Sequence, residues 1–180
     1  MGAVLEAATS GRAKCRACGE TLRKGELRFG ERVPNPFGEG EATYWFHPWC
    51  AAARRPEVFL ELEPIPDELE DPQALHTLAV LGQEHHRLAR VERVELAASG
   101  RAKCRECQEK IEKGAPRLAL TIWEDGRFNP MGFIHASCAL DYFGTTESLE
   151  TRMRFVARNE ESAAVLEQAL EAALSGTPKG

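Results

Sequence analysis

The hexapeptide Ser10-Gly11-Arg12-Ala13-Lys14-Cys15 returns unchanged as Ser99-Gly100-Arg101-Ala102-Lys103-Cys104. Each copy opens a CxxC pair, Cys15/Cys18 and Cys104/Cys107. Each pair is answered downstream by HxxC, His47/Cys50 and His135/Cys138. The halves are separated by 28 residues in the first copy and 27 in the second, so the copies differ by one residue in the intervening loop. All six cysteines of the chain fall in this pattern. Each constellation offers three thiolates and one imidazole, a closed four-ligand set that suits tetrahedral, structural zinc. Two Zn2+ ions, one per module, are therefore the expected cofactors. Three disulfides are the alternative that an even cysteine count permits, but CxxC pairs followed by HxxC do not form a typical disulfide framework. Iron could replace zinc in a sulfur-rich site, yet a Cys3His set with no redox partner favours zinc. A catalytic zinc keeps one position open, and these sets leave none.

Composition sets the next bounds. The chain has 180 residues, 43% of them hydrophobic, enough for one or two domains. Either finger alone is too small for a large core, so the metal is expected to supply much of its folding free energy, on the order of 10–16 kcal/mol for structural zinc in peptides. The start MGAVLEAATSGRAK has no basic segment followed by an apolar run, so no export signal is expected. No stretch approaches the roughly 18 apolar residues of a membrane helix. Thiolate ligands fit a reducing, intracellular compartment: cytoplasm or nucleoid in a bacterium, nucleus in a eukaryote. The wealth of Ala, Arg, Glu and Leu hints at a GC-rich, bacterial source. The net charge is −5, which argues against a generic nucleic-acid coat. Its distribution is uneven. Residues 1–55 carry +3, residues 56–95 carry −7, residues 96–145 carry +1 and residues 146–180 carry −2.

Taken in order, residues 1–55 form a first module, 56–91 an acidic connector with a helix, 92–145 a second module and 146–180 a C-terminal helix. The fold class expected is α+β, two small zinc-stabilised modules each followed by helical segments. Residues 1–9 read as a lead-in, because VLEAATSGRAKC matches VELAASGRAKC before the second module. After each CxxC, a Lys-Gly step enters a short apolar run, Leu27-Arg28-Phe29 or Arg117-Leu118-Ala119-Leu120, which reads as a strand leaving a glycine turn. Gly, Pro and Asn mark the next stretches, 34–40 and 123–130, as turns. The HxxC cysteines are expected to start helices through residues 51–54 and 139–143. Asp71-Pro72 looks like an N-cap with proline at N1, opening a helix from about Gln73 to about Arg90. From about Ser148 to Leu174 a further apolar stripe runs at helical spacing. Packing of these helices within the chain is the favoured reading, and a dimer through them is the alternative. His76, His85 and His86 lie outside the ligand pattern and read as exposed histidines.

The stretches SGRAKCRAC, KGELRFG and WFHPWC in the first copy, and SGRAKCREC, KGAPRLAL and FIHASC in the second, resemble the zinc finger of eukaryotic poly(ADP-ribose) polymerases and DNA ligase III. The resemblance covers about residues 3–53 and 92–143, and no stretch resembles a polymerase catalytic domain or a ligase core. It implies a PARP-type finger that senses DNA strand breaks, gripping phosphates with basic side chains and laying loop residues on exposed base faces. By position it makes Arg12, Arg28, Arg101 and Arg117 the backbone-gripping candidates. Arginine's planar fork suits phosphate oxygens, and Lys14, Arg16, Lys103 and Arg105 add attraction that ignores sequence. Phe37 matches the family's exposed loop aromatic. In the second copy, where loop length differs, Trp123 and Phe128 both qualify. Trp45 and Phe133, two residues before the ligand histidines, read better as finger core. The near-neutral second module and the acidic connector depart from the usually basic family.

The function these residues imply is a zinc-binding, non-catalytic DNA-binding protein of DNA-damage or DNA-repair type, recognising nicks, gaps or ends. The alternative is a zinc-stabilised protein-interaction module that uses the acidic connector and helices to hold a protein partner or a second copy. An enzyme such as a nuclease has little support, because no residue set beyond the zinc ligands looks convergent.

Overall fold

A computed structural model describes residues 2–176. Met1, in the first lead-in, and residues 177–180, at the end of the expected C-terminal helix, lie outside the described residues. The chain divides into two compact units, Met1–Glu84 with Asp125–Phe128, and His85–Glu124 with Asn129–Gly180.

The first unit is built on an antiparallel sheet in the order β1 (Gly2–Ala7), β2 (Leu27–Pro34), β3 (Glu41–Phe46). The lead-in is thus a strand, with Glu6 directly opposite Arg28. The sheet's two faces carry different chemistry, as strand alternation requires. One face buries Phe29 and Phe46, whose rings lie 6.3 Å apart, and the Phe59 ring lies tilted 5.6 Å from Phe29. The other face holds Gly30 beneath Trp45. A Cβ at Gly30 would come within 2.7 Å of that indole and 2.8 Å of the Thr43 and Val4 side chains, so neighbouring side chains already fill the space above this glycine.

Helix α1 (Pro48–Arg54) follows β3, with Pro48 in its first turn, where a missing N–H costs nothing. It begins at Pro48, two residues before the ligand Cys50 that was expected to start it. The acidic connector is ordered: α2 (Pro56–Phe59), a 3-10 turn (Leu60–Leu62) and α3 (Pro72–Glu84). Asp71 accepts from the Ala74 amide at 3.2 Å, an N-cap bond. Helix α3 packs on α1 and α2 through Leu75, Leu78 and Ala79. It is shorter than the periodicity suggested. The α-helix stops at Glu84, His85 leaves helical geometry, and His86–Arg90 form a 3-10 helix.

A second sheet of the same order is formed by β4 (Val91–Leu96), β5 (Pro116–Glu124) and β6 (Arg127–His135), all within the second unit except the first two residues of β6. Arg117 stands opposite Glu95. Ala119 and Phe133 take the places of Gly30 and Trp45. A 3-10 turn (Ala136–Cys138) leads into α4 (Ala139–Phe143), which ends on Gly144 at φ 74°, the left-handed cap that glycine favours. The tail is two helices, α5 (Leu149–Val156) and α6 (Glu160–Leu174). Asn159 breaks the run and caps α6, accepting from the Ser162 amide at 2.7 Å. Both helices pack on β4, burying Leu149, Met153, Leu166, Ala169 and Leu170. Each finger therefore completes its core with the helices that follow it. No helix among the described residues is long and apolar enough to cross a membrane.

Phe29 is fully buried at the centre of the aromatic cluster. Phe29→Ala is expected to cost about 3–5 kcal/mol, read as a lowered midpoint in denaturant unfolding of the zinc-loaded protein.

Candidate metal centres and nucleic-acid surface

Each CxxC turn is folded by its own backbone. The Cys15 amide donates to the Glu20 carbonyl and the Gly19 amide returns to Cys15 O, both at 2.8 Å. The second copy repeats this with Cys104 N to Glu109 O at 2.8 Å and Gln108 N to Cys104 O at 3.0 Å. The HxxC half arrives from the end of the third strand. The histidine sits just before the helical turn that carries the last cysteine. Cys15, Cys18, His47 and Cys50 place their ligand atoms within 4.8 Å of one another, as do Cys104, Cys107, His135 and Cys138.

These distances suit a tetrahedron. Zn–S near 2.3 Å and Zn–N near 2.0–2.1 Å imply ligand–ligand edges of about 3.5–3.8 Å. His47 Nδ1 lies 3.4 Å from Cys18 Sγ and 3.9 Å from Cys50 Sγ. His135 Nδ1 lies 3.4 Å from Cys107 Sγ and 3.8 Å from Cys138 Sγ. The ligand nitrogen is therefore Nδ1 in both modules. In the second, His135 Nε2 donates to the Lys110 carbonyl at 3.2 Å, which fixes the tautomer that ligates. The His47 and His135 amides each donate to the first cysteine's sulfur at 3.4 Å.

Close packing sets the protonation of the clustered sulfurs against one another. Cys18 is held far below the ordinary thiol range by hydrogen bonds with Cys15 and Cys50. Cys50 is pushed far above it by Cys15 and Cys18 and by burial. His47 is raised to about 10 by its hydrogen bonds with Cys15 and Cys18. In the second module burial opposes ionisation of Cys104, but the Cys107 and His135 amides hold it down to about 7. Cys138 is raised to about 12 by burial and by the charge of Cys104. Thiolates this close repel one another, and a central divalent cation removes the conflict. The donor sets fit two zinc ions, one per finger, acting structurally.

The basic candidates fall into two groups. Arg28 is buried. Its guanidinium lies 3.7 Å over the Trp45 ring and donates to Glu6 Oε1 from Nη2 at 2.5 Å and from Nε at 3.2 Å. Arg117 repeats this over Phe133 at 3.6 Å, donating to Glu95 Oε1 at 2.6 and 2.9 Å. Both guanidinium groups are thus engaged inside their own sheets, and Trp45 and Phe133 form half-buried stacks with them on the outer sheet face. By contrast Arg12, Lys14, Arg101, Lys103 and Arg105 are exposed. None of these five makes a side-chain hydrogen bond or ion pair among the described residues. Arg16 is exposed, but it lies 3.9 Å over the Tyr44 ring and donates to the Gly126 carbonyl at 2.7 Å, within the first unit.

The aromatic candidates also separate. Phe37 is 96% exposed on the loop between β2 and β3. Its amide donates to Asn35 Oδ1 at 3.0 Å, an Asx-type turn. Trp123 is half-buried. Phe128, also half-buried, lies 4.2 Å beneath the Arg54 guanidinium. Sequence reading missed Glu6, Glu95 and Asn35. The signal for the acids was present, since Glu and Arg stand 22 residues apart in both copies.

Metal content should be two zinc ions per chain and fall to one in Cys50→Ser and in Cys138→Ser, read by metal analysis of purified protein. Arg28→Ala should lower unfolding stability by about 1–3 kcal/mol, since it strands a half-exposed Glu6 and uncovers Trp45. Arg12→Ala should change stability by less than about 0.5 kcal/mol.

Comparison with known proteins agrees with this geometry. Residues 6–90 match the family model described as the poly(ADP-ribose) polymerase and DNA-ligase zinc-finger region. Poly [ADP-ribose] polymerase 1 of Gallus gallus is 31% identical over 129 residues, 63% of this chain and 13% of that protein. The Oryza sativa poly [ADP-ribose] polymerase 1 is 27% identical over 151 residues, 76% of this chain and 14% of that protein. The Drosophila melanogaster poly [ADP-ribose] polymerase is 29% identical over 137 residues, 67% of this chain and 14% of that protein. The chain thus spans only about a seventh of the length of these relatives. Residues 6–90 match a PARP-type zinc-finger region, and Cys104, Cys107, His135 and Cys138 repeat its Cys3His set in the second half of the chain.

Proposed function

We propose that the protein is a zinc-dependent, non-catalytic DNA-binding protein that recognises strand breaks or duplex ends without reading sequence. The observation that carries this reading is Phe37. A large apolar ring held 96% exposed on a braced loop is costly in water and useful against an apolar face. An unpaired base face is such a surface, and stacking on it contributes about 1–3 kcal/mol. The relatives are poly [ADP-ribose] polymerases, and the family description adds DNA ligases.

In this reading the exposed cations of the repeated SGRAKC stretch, Arg12 with Lys14 and Arg101 with Lys103, meet phosphate oxygens. Arg16 and Arg105 extend the same basic edges. Arg28 and Arg117 serve as positioning residues, because their guanidinium groups already face carboxylates and aromatic rings. Zinc holds each CxxC turn beside the end of the third strand, which fixes where the SGRAKC cations project. Nothing in this binding mode distinguishes one base pair from another, since phosphate contacts carry no sequence information.

A second reading is favoured by a different observation. Eight exposed acids, Glu57, Glu61, Glu63, Asp67, Glu68, Glu70, Asp71 and Glu84, stand in a stretch without Lys or Arg. This suits a basic protein partner, with the fingers as scaffold.

Salt dependence separates the two. Fluorescence anisotropy of the zinc-loaded protein with broken and intact duplex, at several salt concentrations, should show tighter binding to broken DNA. The slope should be about −0.9 per phosphate contacted. Arg12→Ala/Lys14→Ala should weaken binding to all duplexes and flatten the slope by about one to two. Equal binding to broken and intact DNA would remove the break reading, and absence of binding at low salt would leave the acidic partner surface.

A further inference from the structure

The two fingers differ at the place where a base face would be met. In the first finger, β2 and β3 are joined by a loop over residues 35–40. The Asn35 amide donates to the Gly40 carbonyl at 3.0 Å, closing the loop, and Asn35 Oδ1 accepts from the Phe37 amide at 3.0 Å. The ring is therefore held out by a built turn. In the second finger, β5 runs to Glu124 and β6 begins at Arg127. Asp125 and Gly126 alone join them, with φ of 50° and 74°, the two-residue hairpin turn that needs left-handed backbone at both positions. No loop projects there. The flanking rings Trp123 and Phe128 are half-buried, and Phe37 is the one exposed aromatic ring among the described residues.

Given a chain that binds DNA breaks, on which this inference rests, the geometry points to a single base-reading ring, Phe37 of the first finger, and therefore to a duplex terminus as the preferred DNA over a nick. A terminus presents one base-pair face that is already open. A nick presents two faces, and only after the flanking pairs have been unstacked at a cost in free energy. A single ring covers one of those faces and replaces the stack lost on that side. The second face stays open to water, so opening a nick is not offset. Two rings would cover both faces and favour the nick; one favours the end. The second finger contributes phosphate contacts through Arg101, Lys103 and Arg105 and leaves the base face alone.

The test compares three DNAs against the full zinc-loaded chain: a hairpin with one blunt end and 2-aminopurine in its terminal pair, a dumbbell closed at both ends with one nick, and the same dumbbell sealed. The blunt hairpin should bind at least about 10-fold tighter than the nicked dumbbell, within the roughly 5- to 150-fold that one aromatic stack is worth, and its 2-aminopurine should change fluorescence on binding. Phe37→Ala should bring the blunt hairpin to the level of the nick, and Phe37→Trp should restore the preference. Because Phe37 touches so little of the protein, its replacement should leave the unfolding midpoint unchanged. A nick bound as tightly as the end, or a preference that survives Phe37→Ala, overturns the single-ring inference while the break reading stands. Equal binding of the sealed dumbbell overturns both.

Discussion

The constraint on which the rest depends is the meeting of three sulfurs and one imidazole nitrogen within 4.8 Å, twice over. Thiolates packed this closely repel one another, and each finger's sheet is only three strands wide. A divalent cation resolves the conflict and joins the CxxC turn to the end of the third strand. Everything between the ligands, namely the second strand, the hairpin and the third strand, is then a loop closed at both ends. That closure helps fix the register of the sheet and the direction of the SGRAKC cations.

A second repeated device works on the outer face of each sheet. Glu6, Arg28 and Trp45 form a stack that Glu95, Arg117 and Phe133 reproduce. The carboxylate comes from the first strand, the guanidinium from the second and the ring from the third, so the stack ties all three together. An ion pair with only its guanidinium buried is weak evidence for net stability, but it specifies strand order and alignment. It recurs with a changed ring, Phe133 standing under Arg117 where Trp45 stands under Arg28.

Much of this was legible in the sequence, for reasons that differ by element. The ligand sets were legible because metal chemistry fixes residue type and spacing together, and the duplication supplied an internal control. Asp71-Pro72 marked the start of α3 because an N-cap and a proline at N1 are local signals. What stayed hidden was set by tertiary contact. The lead-in Gly2–Ala7 has too short an apolar alternation to read as a strand until β2 is beside it. The tail read as one helix because nothing in Ala-rich composition reveals that Asn159 would cap a second one. Arg28 and Phe128 stood as candidate DNA contacts, but their neighbours Glu6 and Arg54 could not be read because one lies on another strand and the other is distant in sequence. Phe37 was legible as a candidate from its loop, whereas its exposure and its Asx brace are properties of the fold.

The most direct test of a finger that meets DNA through its first module is a backbone amide NMR titration of the zinc-loaded protein with a blunt-ended hairpin duplex. Contact through the SGRAKC cations and the Phe37 loop predicts shifts concentrated in residues 11–16 and 35–40, with the acidic stretch 57–71 unmoved. Shifts confined to the acidic stretch, or spread without focus while those two segments stay fixed, would contradict it.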